Sequence, residues 1–281
     1  PSFISYLVYI FNKTPHAIEV LGDPYDGLAK GSINHPLRPL IKFISINFLK
    51  RMALNSIAAS YVTEKALQRR YPGGVDTFMT HYSDVNIDDF IVDNPKTFKK
   101  EQKKFQFINV GRFDQLHKAP DIILKALSIC KKNGYKFKML FLGDGKYLKK
   151  MEALAEALDL KNDVDFLGHV SNRNDINNSL DTSDLFLLPS RHEGLPRAMI
   201  EAIARALPCI GSNAGGIDEL IENNCIVKIN DYKGLAEKIM ELVDNPDKLT
   251  QLSKDNLLTS KNYTFKKLMK KQEQFLEYIK S

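Results

Sequence analysis

The sequence predicts an α/β protein with a doubly wound parallel sheet, and three observations lead to that fold class. First, apolar runs of strand length alternate with helix-length segments from residue 105 onward, as in parallel sheets with helical crossovers. Second, a length of 281 residues is enough for two domains, each with its own core. Third, residues 187–221 form a unit of strand, loop, helix, strand, Gly-Gly turn and second helix. Such a unit leaves helix N-termini and backbone N–H groups at the strand ends.

The part of the chain before residue 93 has fewer regular elements. Its strands are expected over residues 16–21, 56–62 and 82–87. A helix predicted over residues 63–70 is ended by Pro72-Gly-Gly74, since proline and glycine both disfavour its continuation. Two or three strands and two helices make a poor independent domain. A polar, Lys-rich stretch, residues 93–104, is predicted as the linker to the second part.

The part after the linker alternates strands and helices. Its strands are expected over residues 105–110, 137–142, 164–167, 184–188, 209–211 and 226–229. Its helices are expected over residues 120–133, 146–158, 173–180, 197–206, 217–222, 232–243, 247–258 and 265–279. Pro196 is placed at the first position of its helix, where the missing N–H costs nothing. The last helix is amphipathic.

The positive charge is concentrated in one segment. Residues 30–70 contain eight Lys and Arg residues and one Glu, so their net charge of +7 accounts for the whole excess of +6 in the chain. No aromatic-interleaved platform or recognition motif accompanies them, so nucleic acid is not an expected partner. Basic residues alternate with Leu, Ile and Phe over residues 38–51, which favours an amphipathic helix on an anionic membrane surface. An ordinary helix with a solvated basic edge is the alternative interpretation.

Three cysteines indicate the redox environment. Cys130, Cys209 and Cys225 lie in or beside apolar runs, without the spacing of a metal site or a disulfide framework. They fit a reduced, cytoplasmic protein with structural thiols. No apolar run reaches the roughly 18–20 residues of a membrane span. The pair Asp163-Val-Asp165 stands at the start of a predicted strand, the wrong end to hold a catalytic metal.

Two carboxylates stand eight residues apart within residues 187–221. Glu193 lies in the loop before the helix, and Glu201 lies inside the helix. If the crevice holds a nucleotide diphosphate sugar, the helix N-terminus suits the diphosphate. The two glutamates can then bind the hydroxyl groups of the sugar and of the ribose. Glutamate is also common at helix starts and on helix faces, so the spacing alone leaves both interpretations open.

Two cations follow the first strand of the second part, in the sequence GRFDQLHK at residues 111–118. Arg112 leaves the strand end and Lys118 precedes a helix, so both side chains can point into the mouth of the crevice. If a nucleotide diphosphate sugar binds there, its diphosphate needs positive charge, because negative charge would develop on it as the glycosidic bond breaks. Arginine supplies a bidentate fork and lysine a compact charge. A solvated basic loop is the alternative, and His117 is interpreted as a surface loop residue.

These motifs resemble those of a known family. EGLPRAMIEA at residues 193–202, within PSRHEGLPRAMIEAIARALPCIGSNAGGIDELI, is similar to the E-x7-E signature of the retaining glycosyltransferases of family four, which have the GT-B architecture. Residues 111–118 resemble the G-R-x(n)-K-G phosphate-binding motif of that family, with Ala119 where glycine is usual. The turns Gly143-Asp-Gly145 and Gly168-His-Val170 follow in the order that this family has.

The resemblance implies a GT-B fold of two Rossmann-like domains that face a cleft. Residues 1–95 are then expected to be the second half of an N-terminal, acceptor-side domain that is incomplete in this chain. Residues 96–262 are expected to form the C-terminal domain that binds the nucleotide sugar. Residues 263–281 are expected to form a helix that crosses back to the first domain.

The resemblance also implies a role for each site residue. The catalytic residues are expected to be Glu193, Arg112 and Lys118. The donor is expected to contact Arg112, Lys118, Gly143, Gly145, His169, Val170, Glu193, Gly194, Leu195 and Glu201. No metal and no cofactor are expected, because the Arg and Lys pair replaces the cation that other folds use. On the acceptor side Asp23 is the candidate, with an Asx-type turn as the alternative.

The expected function is therefore glycosyl transfer. A hexose-type sugar would move from a UDP- or GDP-sugar to a glycan acceptor, with a lipid-linked glycan favoured by the basic apolar segment. The anomeric configuration would be retained, and the pathway would be surface polysaccharide biosynthesis at the cytoplasmic face of a membrane. The alternative is a nucleotide-sugar-binding module that is inactive because its N-terminal domain is truncated.

Overall fold

The computed structural model describes residues 14–28 and 35–281, and its first sheet has three parallel strands in the order β1-β2-β3. They are β1 (Ala17–Val20), β2 (Ala58–Tyr61) and β3 (Phe78–His81). The first two lie within predicted strands, but the strand predicted over residues 82–87 is wrong. Those residues leave the sheet, and Val85 and Ile87 are buried in the core around the second sheet. Their apolar character therefore reflects the packing of the connection between the two sheets.

Within the described part of the chain, three helices accompany the first sheet. They are α1 (Pro24–Gly27), α2 (Arg38–Leu54) and α3 (Ala66–Arg70). α2 is the predicted basic helix, and its C-terminal half buries Leu49, Met52 and Ala53. α3 begins later than predicted, at a junction where a residue from the second part of the chain supplies the cap. The carboxylate of Glu219 accepts the backbone N–H groups of residues 64, 65 and 66 at 2.6 to 2.9 Å.

The second sheet has six parallel strands in the order β6-β5-β4-β7-β8-β9. They are β4 (Lys104–Val110), β5 (Lys136–Leu142), β6 (Val164–Phe166), β7 (Leu185–Leu188), β8 (Cys209–Ser212) and β9 (Ile226–Val227). The chain builds one side of the sheet outward from β4 to β6 and then returns to build the other side from β7. The strand order therefore reverses between β4 and β7. Open parallel sheets bind ligands at such a reversal, beyond the carboxyl ends of the strands. The doubly wound sheet is confirmed.

The helices of the second part occur where they are predicted, with two differences. They are α4 (Pro120–Lys132), α5 (Leu148–Ala157), α6 (Arg173–Asp181), α7 (Arg197–Ala204), α8 (Tyr232–Val243), α9 (Pro246–Ser260) and α10 (Phe265–Lys280). Pro196 is the N-cap of α7, with extended backbone, and its carbonyl accepts the first helical hydrogen bonds. The helix predicted over residues 217–222 is one 3-10 turn, Ile217–Glu219, because the chain turns again at Asn223–Cys225 and enters β9.

The centre of the second sheet is a continuous apolar core. All four residues of β7 are buried, and in β4 the alternate residues Phe105 and Phe107 are buried together with Ile108. This pattern is typical of parallel strands that are covered on both faces. Full burial of one such side chain stabilises the fold by about 1.5–3 kcal/mol. The core therefore fixes the carboxyl ends of β4 and β7, where the predicted site residues begin.

The last helix returns to the first sheet, as predicted. The ring of Tyr278 in α10 stacks on Phe78 of β3, with the ring centroids 4.7 Å apart. Phe275 of the same helix meets the Tyr82 ring edge-on and is 2% exposed. The two sheets fall within the predicted segments of residues 1–95 and 96–262, and the domain boundaries themselves stay predictions.

Two features are absent from residues 14–28 and 35–281. Within them, none of the helices combines the length and the apolar character that crossing a bilayer requires. The same residues contain no cluster of three His, Cys, Asp or Glu side chains that could hold a metal ion. The three cysteines are buried and free, and burial raises the pKa of the Cys130 thiol to about 12.

Candidate functional site

The loops that follow β4 and β7 meet where the strand order reverses. Lys118, at the end of the first loop, has its Nζ atom 2.6 Å from Oε1 of Glu193 in the second. The hydroxyl of Ser190 donates to the same oxygen at 2.7 Å. Only 9% of the Glu193 side chain is exposed, and 25% of the Lys118 side chain. A carboxylate this buried requires a charge partner and hydrogen bonds. Lys118 supplies the charge, and Lys118 and Ser190 both donate hydrogen bonds.

The loop after β4 holds the lysine close to its own backbone. A Cβ atom at Gly111 would lie 2.8 Å from Cγ of Lys118, so the lysine stem covers this glycine. Leu116–Lys118 is a single 3-10 turn, and Ala119 follows with a φ of 52° in the left-handed region. A residue with a Cβ atom costs about 1–2 kcal/mol there. This conformation accounts for the preference for glycine at position 119 in the motif.

Arg112 lies in the same loop but has a different partner. Its Nε atom donates to Oδ2 of Asp114 at 2.7 Å, and 85% of its side chain is exposed. The structure therefore does not bring Arg112 into the cluster of Lys118 and Glu193. An exposed ion pair of this kind contributes about 0–1 kcal/mol, so the guanidinium can exchange Asp114 for an anionic ligand at little cost. Its role at a leaving group stays a prediction.

The turn after β5 requires both of its glycines. A Cβ atom at Gly143 would lie 2.0 Å from the carbonyl oxygen of Gly111, and one at Gly145 would lie 2.3 Å from the backbone nitrogen of Asp114. The φ angles of the two glycines are 145° and 151°, which other residues rarely adopt. This turn therefore packs directly against the loop after β4 and supports it. A contact with a nucleotide stays a prediction.

The Gly-Gly turn after β8 supports the other loop in the same way. Gly215 has a φ of 56°, and a Cβ atom there would lie 2.2 Å from the carbonyl oxygen of Glu193. The N–H of Gly216 donates to the carbonyl of Gly194 at 2.8 Å. From the first sheet, the carbonyl of Leu21 would lie 3.2 Å from a Cβ atom at Gly194. The Glu193 loop is thus enclosed by its own domain and by the end of β1.

The other donor-side residues lie on neighbouring elements. Glu201 is on α7. Burial raises the pKa of its carboxyl, and this effect is larger than the lowering by the charges of Arg173 and Arg197. His169 is exposed, and Val170 packs against the core of the second sheet. No described contact joins these three predicted residues to the Lys118–Glu193 pair. Their roles at the ribose and the base stay predictions.

Asp23 has a structural role in the first sheet. Its Oδ1 atom accepts the backbone N–H of Tyr25 at 2.8 Å, which is the Asx-type turn, and it caps α1. The hydroxyl of Tyr71 and the guanidinium of Arg70 also donate to this carboxylate, whose side chain is 4% exposed. The geometry thus confirms the turn that was the alternative interpretation. An acceptor-side role for Asp23 stays a prediction without support from these contacts.

Part of the site was not predicted from the sequence. We did not single out Ser190, Arg191 and His192, which lie in the loop between β7 and Glu193. The His192 ring lies 4.9 Å from the ring of His117, which is half-buried and not the surface loop residue that we expected. Nδ1 of His192 is buried and has no hydrogen-bond partner in the described part of the chain. Three consecutive polar residues between a buried strand and Glu193 are the signal that could have identified them.

We expect the melting temperature to fall as the pH drops below 6.5. Burial is the main cause that lowers the pKa values of His81, His117 and His192 from 6.5. The unfolded chain therefore binds protons first, and stability is lost as the pH falls from 6.5 through the folded-state values. The raised pKa of the Glu201 carboxyl has the opposite effect on stability. Its contribution is lost as the pH rises from 4.5 through the folded-state value. Calorimetric melting from about pH 7.5 to about pH 5.5 measures the effect.

The control for this prediction separates the site histidines from an exposed one. A His117→Asn, His192→Asn double variant should lose less stability over this range than the unaltered chain. His35 is exposed, and a His35→Asn variant should match the unaltered chain. An equal fall in the double variant would contradict the attribution.

Two parallel sheets that face each other, with a C-terminal helix crossing back, form the GT-B architecture of glycosyltransferases. One solved structure that shares this fold is that of HepE of Anabaena, in complex with UDP and glucose. That chain aligns with a TM-score of 0.72 and 18% identity, over 99% of this chain and 74% of its own. The family described as glycosyl transferases group 1 matches residues 91–257, more than half of the chain. The chain belongs to the group 1 glycosyltransferases.

Two curated relatives are similar over different lengths. Protein CapJ of Staphylococcus aureus is 27% identical over 272 residues, which cover 93% of this chain and 64% of CapJ. The UDP-Gal:alpha-D-GlcNAc-diphosphoundecaprenol alpha-1,3-galactosyltransferase of Escherichia coli is 36% identical over 126 residues, covering 44% of this chain and 30% of that enzyme. The chain thus spans less than two thirds of the length of either relative.

Proposed function

We propose that this chain is a retaining glycosyltransferase of family four that transfers a hexose-type sugar from a UDP- or GDP-sugar to a glycan acceptor. The observation that carries the proposal is the pairing of Lys118 with Glu193 at 2.6 Å, beyond the strand ends at the reversal of the second sheet. A pair in this place offers one cation for a diphosphate and one carboxylate for sugar hydroxyls. Both come from the motifs that the family resemblance identifies.

In the proposed reaction the leaving nucleoside diphosphate departs from the face that the acceptor attacks. Lys118 and Arg112 stabilise the negative charge that develops on the diphosphate, so that side chains and not a bound cation supply this charge. Glu193 orients the donor sugar, and Glu201 holds the ribose. The backbone N–H groups of Gly194 and Leu195 donate no hydrogen bond within the described residues, which suits them to phosphate oxygens. The remaining donor contacts are proposed for Gly143, Gly145, His169 and Val170.

We further propose that the acceptor is a lipid-linked glycan in surface polysaccharide biosynthesis. The Escherichia coli relative is named for a galactosyl transfer to GlcNAc-diphosphoundecaprenol, and the lipid carrier would bring the acceptor to a membrane. The free, buried cysteines fit a cytoplasmic location, so the inner face of the membrane is the proposed site of action. Asp23 is the proposed acceptor-side residue. Its carboxylate caps α1, so its contacts support this role less than those of the donor-side residues support theirs.

The surface of α2 supports contact with an anionic membrane. Its exposed apolar side chains include Phe43, at 67% exposure, and Ile44, at 51%. The basic residues of the same helix are Arg38, Lys42, Lys50 and Arg51. The apolar residues of α2 lie all round the helix and not on one face, so the predicted amphipathic pattern is not present. The proposal therefore rests on the exposed apolar residues and their basic neighbours, each of which adds about 1 kcal/mol near an anionic lipid surface.

We expect the chain to sediment with phosphatidylglycerol vesicles and not with phosphatidylcholine vesicles. A Phe43→Ser, Ile44→Ser double variant should lose this binding, because it removes the two residues that would enter the lipid layer. Leu258 is 66% exposed on α9, so a Leu258→Ser variant serves as the matched control and should bind normally. Equal vesicle binding by the two variants would refute a membrane contact through α2.

The transfer itself is tested by incubating the chain with a panel of UDP- and GDP-sugars and a lipid-linked oligosaccharide fraction. The proposal predicts release of one nucleoside diphosphate and a product whose new linkage has the anomeric configuration of the donor, as read by NMR. Inversion of configuration would remove the chain from the retaining family. Donor binding without release would support the alternative of a nucleotide-sugar-binding module.

A further inference from the structure

Arg191, in the loop after β7, binds three separate segments of the chain. Its guanidinium donates to both carboxylate oxygens of Asp121, at 2.8 and 2.7 Å. It also donates to the carbonyl of Leu116 and to Oδ1 of Asn230, each at 2.7 Å. These four hydrogen bonds use four of the five N–H groups of the guanidinium. The side chains of the pair are 22% and 16% exposed, so this is an enclosed, bidentate interaction.

Arg191 contacts residues that come before Lys118 in the sequence and a residue that comes after it. The backbone N–H of Arg191 donates to the carbonyl of His117 at 2.7 Å. Together with the bonds to Leu116 and Asp121, this fixes the residues directly before Lys118 and the first turn of α4 after it. Arg191 itself stands two residues before Glu193. The two segments that supply the Lys118–Glu193 pair are therefore joined through this one residue.

The segment that carries Lys118 has little regular structure of its own. It is a single 3-10 turn followed by the left-handed Ala119, with neither a strand partner nor a helical hydrogen-bond ladder. A lysine side chain also has about 2 kcal/mol of rotamer entropy. A cation that must meet a leaving group has to be held within about 1 Å of the productive position. The fork of Arg191 supplies this constraint, and a lysine at position 191 has no planar fork with which to replace it.

We propose that Arg191 is a positioning residue that acts through Lys118. It fixes the backbone beneath Lys118 so that the ammonium group meets Glu193 and, in the bound state, the diphosphate. What Lys118 does for the substrate rests on the proposed function, whereas its positioning is a property of the free protein. Arg191 touches no substrate in this role, because four of its five N–H groups are engaged by Asp121, Leu116 and Asn230.

The positioning is tested first without any nucleotide. The rate of acylation at Lys118 by an activated ester is measured by mass spectrometry, with the exposed Lys132 as internal reference. In Arg191→Ala and Arg191→Lys the rate at Lys118 should rise several-fold, while the rate at Lys132 stays constant. If Arg191→Ala does not fold, Asp121→Asn, which keeps the shape and weakens the fork, takes its place. An unchanged rate at Lys118 in a folded variant would overturn the proposal.

The second test asks whether Arg191 acts through Lys118 in ligand binding. Arg191→Ala should weaken the affinity for the nucleoside diphosphate that binds, UDP or GDP, about tenfold, which is about 1.4 kcal/mol. A double variant with Lys118→Ala should bind no more weakly than Lys118→Ala alone, because coupled residues are not additive. Additive losses would overturn the proposal in favour of a general structural role. If the unaltered chain binds neither nucleotide, the proposed function fails, and the acylation rates still decide the role of Arg191.

Discussion

Replacement of Lys118 by alanine is expected to remove most of the transferase activity and to destabilise the fold. Among the described residues, Glu193, with 9% of its side chain exposed, would keep only the Ser190 hydroxyl as a hydrogen-bond partner. Leaving a carboxylate unpaired in such a place costs about 2–4 kcal/mol of the free energy of unfolding. Loss of one preorganised charge at a developing anion lowers kcat on the order of 100- to 1,000-fold. Urea unfolding and initial rates with saturating donor measure the two effects.

Two further variants separate the structural effect from the catalytic one. Adding Glu193→Gln to Lys118→Ala removes the unpaired charge, so part of the stability should return while the activity stays low. Lys132→Ala, on the exposed face of α4, should change neither quantity by more than about 0.5 kcal/mol. A Lys118→Ala variant with the stability and activity of the Lys132→Ala variant would show that the pair has no role in the site.

The second large effect is expected from Gly143→Ala. The new Cβ atom would lie 2.0 Å from the carbonyl oxygen of Gly111, and the φ angle of 145° is one that alanine rarely adopts. Either β5 or the loop after β4 must move, and the loop carries Arg112 and Lys118. We expect a loss of about 3 kcal/mol or more in the free energy of unfolding. Because the loop shifts, nucleotide binding should weaken in whatever fraction still folds.

Gly134 provides the matched control. It also has a positive φ angle, 87°, but a Cβ atom there would meet nothing within 4 Å. Gly134→Ala should therefore cost only the backbone strain, about 1–2 kcal/mol, and leave nucleotide binding unchanged. Chemical denaturation measures the free energy of unfolding of both variants. Gly143→Ala introduces a steric clash together with backbone strain, whereas Gly134→Ala introduces the strain alone. A similar loss of unfolding free energy in the two variants would mean that the loop after β4 moves at little cost. That result would contradict the conclusion that the turn after β5 supports this loop.

The central strands of the second sheet could be predicted because most of their apolar residues are buried. β7 is a fully buried run of Leu and Phe, and β4 and β5 are rich in Phe, Leu, Ile and Met. The structure places all three within a residue or so of the prediction. The strand expected at residues 82–87 failed for a related reason. Val85 and Ile87 are apolar because they enter the second core, and local periodicity does not distinguish a strand from a buried connection.

The site could be predicted as a set of residues but not as an arrangement. Lys118 and Glu193 were identified from their motifs, yet their contact joins residues 75 positions apart in the sequence. Arg112 belongs to the same motif as Lys118 and is found with Asp114 instead. Arg191 was not identified, because its function depends on partners in three segments that only the folded chain brings together. Motifs predicted the chemistry, and tertiary contacts decided which residues share a site.

The donor site is tested most directly by calorimetric titration of this chain with UDP, GDP and ADP, with no metal added. We expect UDP or GDP to bind with a Kd in the micromolar range, which corresponds to a binding free energy of about 8 kcal/mol. We also expect Lys118→Ala to lose most of this affinity, because the lysine would contact the diphosphate. Absence of binding by all three nucleotides, or undiminished binding by Lys118→Ala, would contradict the assignment of the donor site to the Lys118–Glu193 pair.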